Sequence, residues 1–202
     1  PVLRSLEFDG GMTMGGSRLP DGSQFDVLKF AVLKGDRSAA REPPQRLAHL
    51  PGAQPQSAIN AGLPKVFDLT MRMMAWGVNG RSFNMLQVSP EETVKLGTHE
   101  IWEFRNEGQD SMMGMVMAHS MHIHGVQFRV LKRQVSSSFA AAYRTVSAGL
   151  VDEGWKDTVL VMPGERVQVL VGFVDYPGLF LYHCHMLEHE DAGLMRNYLV
   201  QA

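Results

Sequence analysis

The sequence L-F-L-Y-H-C-H-M-L-E-H, residues 179–189, decides the fold assignment, because it combines the pattern of a β-strand with a set of metal ligands. In a strand successive side chains point to opposite faces, so His183 and His185 share one face while Cys184 lies on the other. His189 can return to the Cys184 side if the strand turns into a helix there. One short strand therefore can serve two neighbouring metal sites.

A second histidine motif, H-S-M-H-I-H-G, occupies residues 119–125, and the two motifs together hold six of the eight histidines of the chain. Its first histidine, His119, can join Cys184 and His189. Two imidazoles and one thiolate, with a weak or absent axial ligand, are the ligand set of blue-copper electron-transfer sites. The three residues are therefore candidates for one such site.

The remaining four histidines of the motifs point to further metal ions. His122 and His124 share a strand face and could meet His183 and His185 on the side of the strand opposite Cys184. A zinc site or polar core packing is the alternative interpretation. A single zinc ion takes four ligands, however, whereas seven candidates occur here.

Both motifs, in this order, resemble the signatures H-x-x-H-x-H-G and H-C-H-x-x-x-H of the last cupredoxin domain of multicopper oxidases, which include laccases, copper-tolerance oxidases and bilirubin oxidases. The resemblance covers about residues 65–202 and implies an all-β, cupredoxin-like Greek-key β-sandwich. It also implies a copper cofactor, with type 1, type 2 and binuclear type 3 sites and four copper ions per complete enzyme. The ligands it implies are His119, Cys184 and His189 for type 1 copper, His122 for type 2 copper, and His124, His183 and His185 for the type 3 pair.

Alternation of apolar and polar residues independently predicts a β-sandwich. The predicted strands are residues 66–72, 100–106, 122–132, 157–162, 166–173 and 179–184. Only the segment after His185 has a helical pattern, and residues 134–156 are expected to form a long Ser- and Ala-rich connection that shapes a binding rim.

The chain divides into three parts at the sequence level. Residues 36–64 hold five of the ten prolines and predict a linker. Residues 1–35, with strand-forming segments at 2–8 and 25–33, resemble the C-terminal remnant of a preceding, second cupredoxin domain. Residues 65–202 are the C-terminal cupredoxin domain, with the type 1 site and half of a trinuclear copper cluster.

Composition excludes several other classes of protein. A net charge of −2 provides no basic field for nucleic acid. No apolar run reaches the length of about 18 residues that a membrane span needs, so no membrane span is expected. With a single cysteine, Cys184, no internal disulfide can form.

In the resembled family the trinuclear cluster lies between the first and last domains, each of which contributes four histidines. The expected partners are therefore the N-terminal domains of the same enzyme, as a separate or cleaved chain or a missing part, together with dioxygen and a small reducing substrate. The implied activity is one-electron oxidation of phenolic, aromatic or similar donors coupled to four-electron reduction of dioxygen to water. These enzymes are mostly exported, so a periplasmic or extracellular location is expected.

Two residues near the second motif have more specific predicted roles. Glu190 is the candidate proton relay toward the cluster, and a solvated acidic turn is the alternative. The axial position of type 1 copper lies ten residues after the cysteine in related sequences, which is Leu194 here, with Met195 as the alternative. A leucine would leave the copper without a thioether ligand and raise its reduction potential.

The electron donor stays open at this stage. Phenolic or aromatic donors are expected to dock against an exposed imidazole edge of His189 or, alternatively, of His119. The cluster Met112, Met113, Met115, Met117 and Met121 could instead bind Cu(I) as a substrate, or could be adaptable apolar packing. A non-catalytic blue-copper electron carrier is the rival function, but it leaves four histidines without a purpose.

Overall fold

The computed structural model describes residues 1–11, 22–33, 42, 44–45, 52–72, 75–108 and 116–202. Within these ranges the strands are β1 (Val2–Arg4), β2 (Asp26–Lys29), β3 (Lys65–Arg72), β4 (Ala75–Val78), β5 (Thr93–Lys95), β6 (Thr98–Asn106), β7 (His119–Ile123), β8 (Phe128–Val135), β9 (Thr158–Val161), β10 (Glu165–Phe173), β11 (Gly178–Cys184) and β12 (Met195–Gln201). The α-helices are α1 (Ala140–Ser147) and α2 (Leu187–Asp191).

Two five-stranded sheets form the sandwich. Their strand orders are β4-β3-β6-β10-β8 and β5-β12-β11-β7-β9, and most pairs are antiparallel. The pairs β3–β6 and β5–β12 are parallel. The predicted all-β, cupredoxin-like sandwich is confirmed.

The core lies between the two sheets, where their strands bury apolar side chains. In β10 the side chains of Val167, Val169, Val171 and Phe173 are all buried. The indole of Trp102 on β6 contacts Tyr182 across the sandwich, with ring centroids 5.6 Å apart. Burial of this apolar surface is the main stabilising contribution to the fold.

The predicted single strand at residues 122–132 is wrong, because the chain turns in its middle. Strand β7 ends at Ile123 and β8 begins at Phe128. Gly125 between them has φ +74°, and a Cβ there would lie 2.8 Å from the ring of Phe180. Only glycine fits this turn. The turn places the histidines of β7 and the basic residues of β8 in different sheets.

The sequence pattern did not predict strands β4, β5 and β12, nor helix α1. Strand β5 is three residues long, and β12 buries the polar side chains of Arg196 and Asn197, which hides its alternation. The prediction that only the segment after His185 is helical is wrong. The alanines at 140–142 begin a helix, as their high helix propensity favours.

The N-terminal residues form a separate two-stranded sheet, β1–β2, both strands of which are exposed. The backbone N–H of Asp9 donates to Thr145 Oγ1 on α1, 2.9 Å away. Ala58 is buried against Ile101 and Leu170, so contacts with the sandwich begin before residue 65. The predicted boundaries at residues 35/36 and 64/65 stay predictions. No helix among the described residues is long and apolar enough to cross a membrane.

Candidate metal centre

Strand pairing brings the two histidine motifs together. Strands β11 and β7 are antiparallel neighbours, with His183 paired to His122 and Cys184 paired to Met121. Because paired residues share a face, His122 and His183 lie on one side of the sheet, whereas Cys184 and His119, which is two residues from Met121, lie on the other. The two clusters therefore lie next to each other across strand β11.

The first cluster, here called the cysteine cluster, consists of His119, Cys184 and His189. Their candidate ligand atoms all lie within 4.8 Å of one another, and all three side chains are buried. The Nδ1 atoms of His119 and His189 are 3.0 Å apart, and Nδ1 of His189 lies 3.7 Å from the sulfur of Cys184. Two imidazole nitrogens and one sulfur thus converge on one point.

Helix α2 returns His189 to the cysteine, as the sequence predicts. The N–H of His189 donates to Met186 O at 3.0 Å, and the N–H of Leu194 donates to His189 O at 2.9 Å. The N–H of Cys184 in turn donates to Leu194 O at 3.0 Å. Backbone hydrogen bonds therefore hold Cys184 and His189 in this arrangement.

Burial sets the protonation of the cysteine cluster. It lowers the pKa of His119 to about 3, with a smaller contribution from His189, and also lowers the pKa of His189. Burial raises the pKa of the Cys184 thiol. Both imidazoles are therefore neutral and offer lone pairs, whereas the thiol must release its proton when a metal binds.

The second cluster, here called the histidine cluster, is formed by His122, His124 and His183, with ligand atoms again within 4.8 Å. The Nε2 atoms of His124 and His183 are 3.0 Å apart. The ring of His185 lies close by, with its centroid 5.4 Å from that of His183 and 5.6 Å from that of His122. The exposed ring of His185 thus lies at the edge of the cluster.

Hydrogen bonds orient two rings of the histidine cluster. Nδ1–H of His122 donates to the carbonyl oxygen of Asp157 at 2.7 Å, and Nδ1–H of His183 donates to the carbonyl oxygen of Cys184 at 3.0 Å. A carbonyl oxygen only accepts, so Nδ1 carries the proton in both rings. Nε2 of each ring is then free to bind a metal ion. Burial, and then the neighbouring His122 and His183, lower the pKa of His124, which favours its neutral form.

Both ligand sets fit copper on the chemistry of their donor atoms. A thiolate and two neutral imidazoles are the donors of blue-copper sites, and neutral imidazole suits copper as well. The donors of the two clusters are joined by the single peptide between His183 and Cys184. This arrangement defines a cupredoxin-like domain with a thiolate site and a neighbouring polyhistidine site.

The residues with predicted accessory roles lie beside these clusters. The carboxylate of Glu190 is 3.3 Å from Nδ1 of His183. Leu194 is fully buried in the same core cluster as Cys184, whereas Met195 is paired with His183 on the opposite face. The relay role of Glu190 and the axial position of Leu194 stay predictions.

Access to the cysteine cluster is narrow. His189 is only 5% exposed and His119 only 1%, so both residues are almost fully buried, and the docking of a donor against either imidazole edge stays a prediction. Of the methionine group, Met121 is fully buried in the core and Met117 packs against it. The other three methionines of that group lie outside the described residues.

Sequence reasoning missed Trp76, which lies on β4. Its indole contacts both histidines of the cysteine cluster, with ring centroids 4.9 Å from His119 and 4.4 Å from His189. Its position in a four-residue strand far from either motif gave no indication of this contact.

Comparison with known proteins agrees with this class of domain. The profile of the family described as Multicopper oxidase matches residues 58–202. The chain is 42% identical to a laccase of Haloferax volcanii over 107 residues, which are 53% of this chain and 16% of that protein. It is 33% identical to a bilirubin oxidase of Albifimbria verrucaria over 132 residues, which are 65% of this chain and 21% of that protein.

A solved structure shows the same likeness in three dimensions. The multicopper oxidase McoA of Aquifex aeolicus matches with a TM-score of 0.66 and 32% identity, covering 90% of this chain and 38% of that chain. The present chain therefore spans about a fifth of the length of the two curated relatives. It belongs to the multicopper oxidase family, whose cofactor is copper.

Proposed function

We propose that this chain is the copper-binding C-terminal portion of an oxidase that couples one-electron oxidation of a small donor to the four-electron reduction of dioxygen to water. The observation that carries the proposal is the pair of adjacent clusters on β11, one with a thiol and one with histidines alone. The laccase and bilirubin oxidase relatives support the same reaction class.

Each cluster has its own part in this proposal. The cysteine cluster forms the type 1 site, and the histidine cluster with His185 supplies ligands to the trinuclear site, with His122 for type 2 copper and the other three for the type 3 pair. Bound copper would supply one-electron redox chemistry at the first cluster and dioxygen reduction at the second. The protein provides neutral, oriented imidazoles and a thiol buried from water.

Strand β11 also provides the connection between the sites. Cys184 is bonded directly to His183, so the path from sulfur to imidazole is covalent and spans on the order of 10 Å from strand geometry and side-chain reach. A blue-copper electron carrier would need only the cysteine cluster. The second cluster, with two tautomers set by hydrogen bonds, favours the oxidase over the carrier.

The proposed partners are the N-terminal domains of the same enzyme, which would supply the remaining histidines of the trinuclear site. The greater length of the relatives supports this. Phenolic or similar aromatic donors are the proposed substrates, and Cu(I) is the alternative that the methionine group motivates. A periplasmic or extracellular location is proposed from family resemblance alone.

Copper loading tests the proposal directly. We expect the chain alone to turn blue with Cu(II), because the cysteine cluster is complete within it, but not to consume dioxygen. Adding the N-terminal part of the enzyme should raise the copper content and start oxygen consumption with a phenolic donor. The measurements are visible absorption, metal content and oxygen uptake, with Cu(I) as a second donor.

The outcomes separate the hypotheses. A protein that stays colourless with and without its partner would show that Cys184 is not a type 1 ligand. Full turnover by the chain alone would overturn the need for a partner. A blue protein that never consumes dioxygen, with or without the N-terminal part, would favour the carrier.

Replacing Glu190 by glutamine tests the proton relay. We expect Glu190→Gln to slow oxygen consumption about 100-fold, within the range for loss of general acid catalysis, while the blue absorption is unchanged. The matched control is Asp191→Asn, an exposed carboxylate on the same helix, which should leave both unchanged. Equal oxygen consumption by the Glu190→Gln variant and the unmodified protein would remove the relay role.

A further inference from the structure

The indole of Trp76 covers the cysteine cluster. It is tilted against the ring of His189, with an interplanar angle of 33° and centroids 4.4 Å apart. It meets the ring of His119 edge to face, at 77° and 4.9 Å. One side chain therefore contacts both candidate nitrogen ligands.

Backbone contacts hold Trp76 in this place. Its N–H donates to Ala192 O at 3.1 Å, and its carbonyl oxygen accepts from Ser82 Oγ at 2.7 Å. A Cβ on Gly193 would lie 3.2 Å from the same carbonyl oxygen. Strand β4 is thus attached directly to the segment between His189 and Leu194.

This contact restricts the imidazoles. A flip of the His189 ring would exchange Nδ1 for a carbon atom at the ligand position and would pass through an orientation in which the ring edge meets the indole. The edge-to-face contact limits His119 in a similar way. With Trp76 itself only 8% exposed, the indole also separates both rings from water.

We propose that Trp76 is a positioning residue of the copper site, which holds the imidazoles of His119 and His189 in their ligand orientations and keeps water from them. This deepens the proposed function and rests on it, because it takes the cysteine cluster as the type 1 site. Trp76 contacts the ligands and does not itself bind the metal.

Two substitutions of Trp76 and one control test the inference. Leucine keeps apolar volume but has no aromatic face, and phenylalanine keeps a face too small to cover both rings. The control is Trp102→Phe, since Trp102 is fully buried in the same core and its described ring contacts are with Phe67, Phe173, Tyr182 and Tyr198, none of them a histidine. All proteins are compared as the complete chain.

The readouts are Cu(II) affinity by competition with a chelator, the thiolate-to-copper absorption band, the electron paramagnetic resonance spectrum, and thermal unfolding of the metal-free protein. We expect copper affinity to fall about 100-fold in Trp76→Leu and about 10-fold in Trp76→Phe, the range for loss of groups that orient metal ligands. The band and the copper hyperfine splitting should change in the same order. Trp102→Phe should lower only the unfolding temperature.

The outcomes are decisive for each claim. If the unmodified chain is blue and Trp76→Phe binds copper with the affinity and spectrum of Trp102→Phe, Trp76 is only a core residue and the inference is wrong. If Trp76→Leu does not fold, the comparison of the two phenylalanine variants still decides. If the unmodified chain has no thiolate-to-copper band, the proposed function and this inference both fail.

Discussion

Replacing Cys184 by serine is expected to abolish the blue absorption of the copper-loaded protein and, in the assembled enzyme, to reduce oxidase activity to background. The buried thiol is the one soft donor of the cysteine cluster, and its sulfur lies 3.7 Å from Nδ1 of His189. A serine hydroxyl is a hard ligand that stays protonated near neutral pH, so it cannot replace the thiolate. Copper content should fall by about one ion per chain.

The histidine cluster provides the internal reference for this experiment. It does not include Cys184, so copper bound by His122, His124 and His183 should remain after assembly. The control variant is His99→Gln, because His99 belongs to neither cluster and its loss should leave colour and copper content unchanged. A Cys184→Ser protein that keeps the intense band would contradict the type 1 assignment.

Replacing Arg196 by methionine is expected to destabilise the metal-free chain by about 3–5 kcal/mol, because it leaves the buried carboxylate of Glu92 without its counter-charge. Nε and Nη2 of Arg196 each donate to Glu92 at 2.7 Å, and both residues are almost fully buried. Tyr182, next to His183 on β11, donates to the same carboxylate at 2.8 Å. The pair thus supports the strand that carries the metal ligands.

The pH dependence of this loss has a defined sign. Burial by itself would raise the pKa of Glu92. Hydrogen bonds from Arg196, from the N–H of Ser89 and from Tyr182 lower this pKa by more than burial raises it, so the net pKa lies below its ordinary value. In the unmodified chain this carboxylate therefore contributes stability above pH 4.5, which is lost as pH falls through its folded pKa. In the variant, burial dominates and favours the protonated acid, so the difference in stability should shrink as pH falls from 7 to 4.

Urea unfolding of both proteins at pH 7 and pH 4 measures this effect. Arg166→Met is the matched control, since Arg166 also donates two hydrogen bonds to a glutamate, Glu107, but is 39% exposed. Its loss should cost about 0–1 kcal/mol. Equal losses in the two variants, or a loss for Arg196→Met that does not depend on pH, would mean that the buried pair has no special role.

Much of the fold was predictable from local patterns. Strands β3, β6, β9, β10 and β11 have the alternation or apolar content that a half-buried strand requires, and each was predicted to within a few residues. Strand β12 was not, because Arg196 and Asn197 are polar and buried. Their partners, Glu92 and the carbonyl groups of residues 84, 85 and 87, are more than one hundred residues away in sequence.

For the candidate site, the amino-acid sequence by itself determined which residues could bind metal and that Cys184 points away from its two histidine neighbours. Residue type and the two-residue period of a strand are local properties, and they suffice for His183, Cys184 and His185. Only the tertiary structure decided that His119 and His189 converge with their Nδ1 atoms, that both are buried, and that Trp76 covers them. These features depend on contacts between strands that are distant in sequence, and no local pattern encodes such contacts.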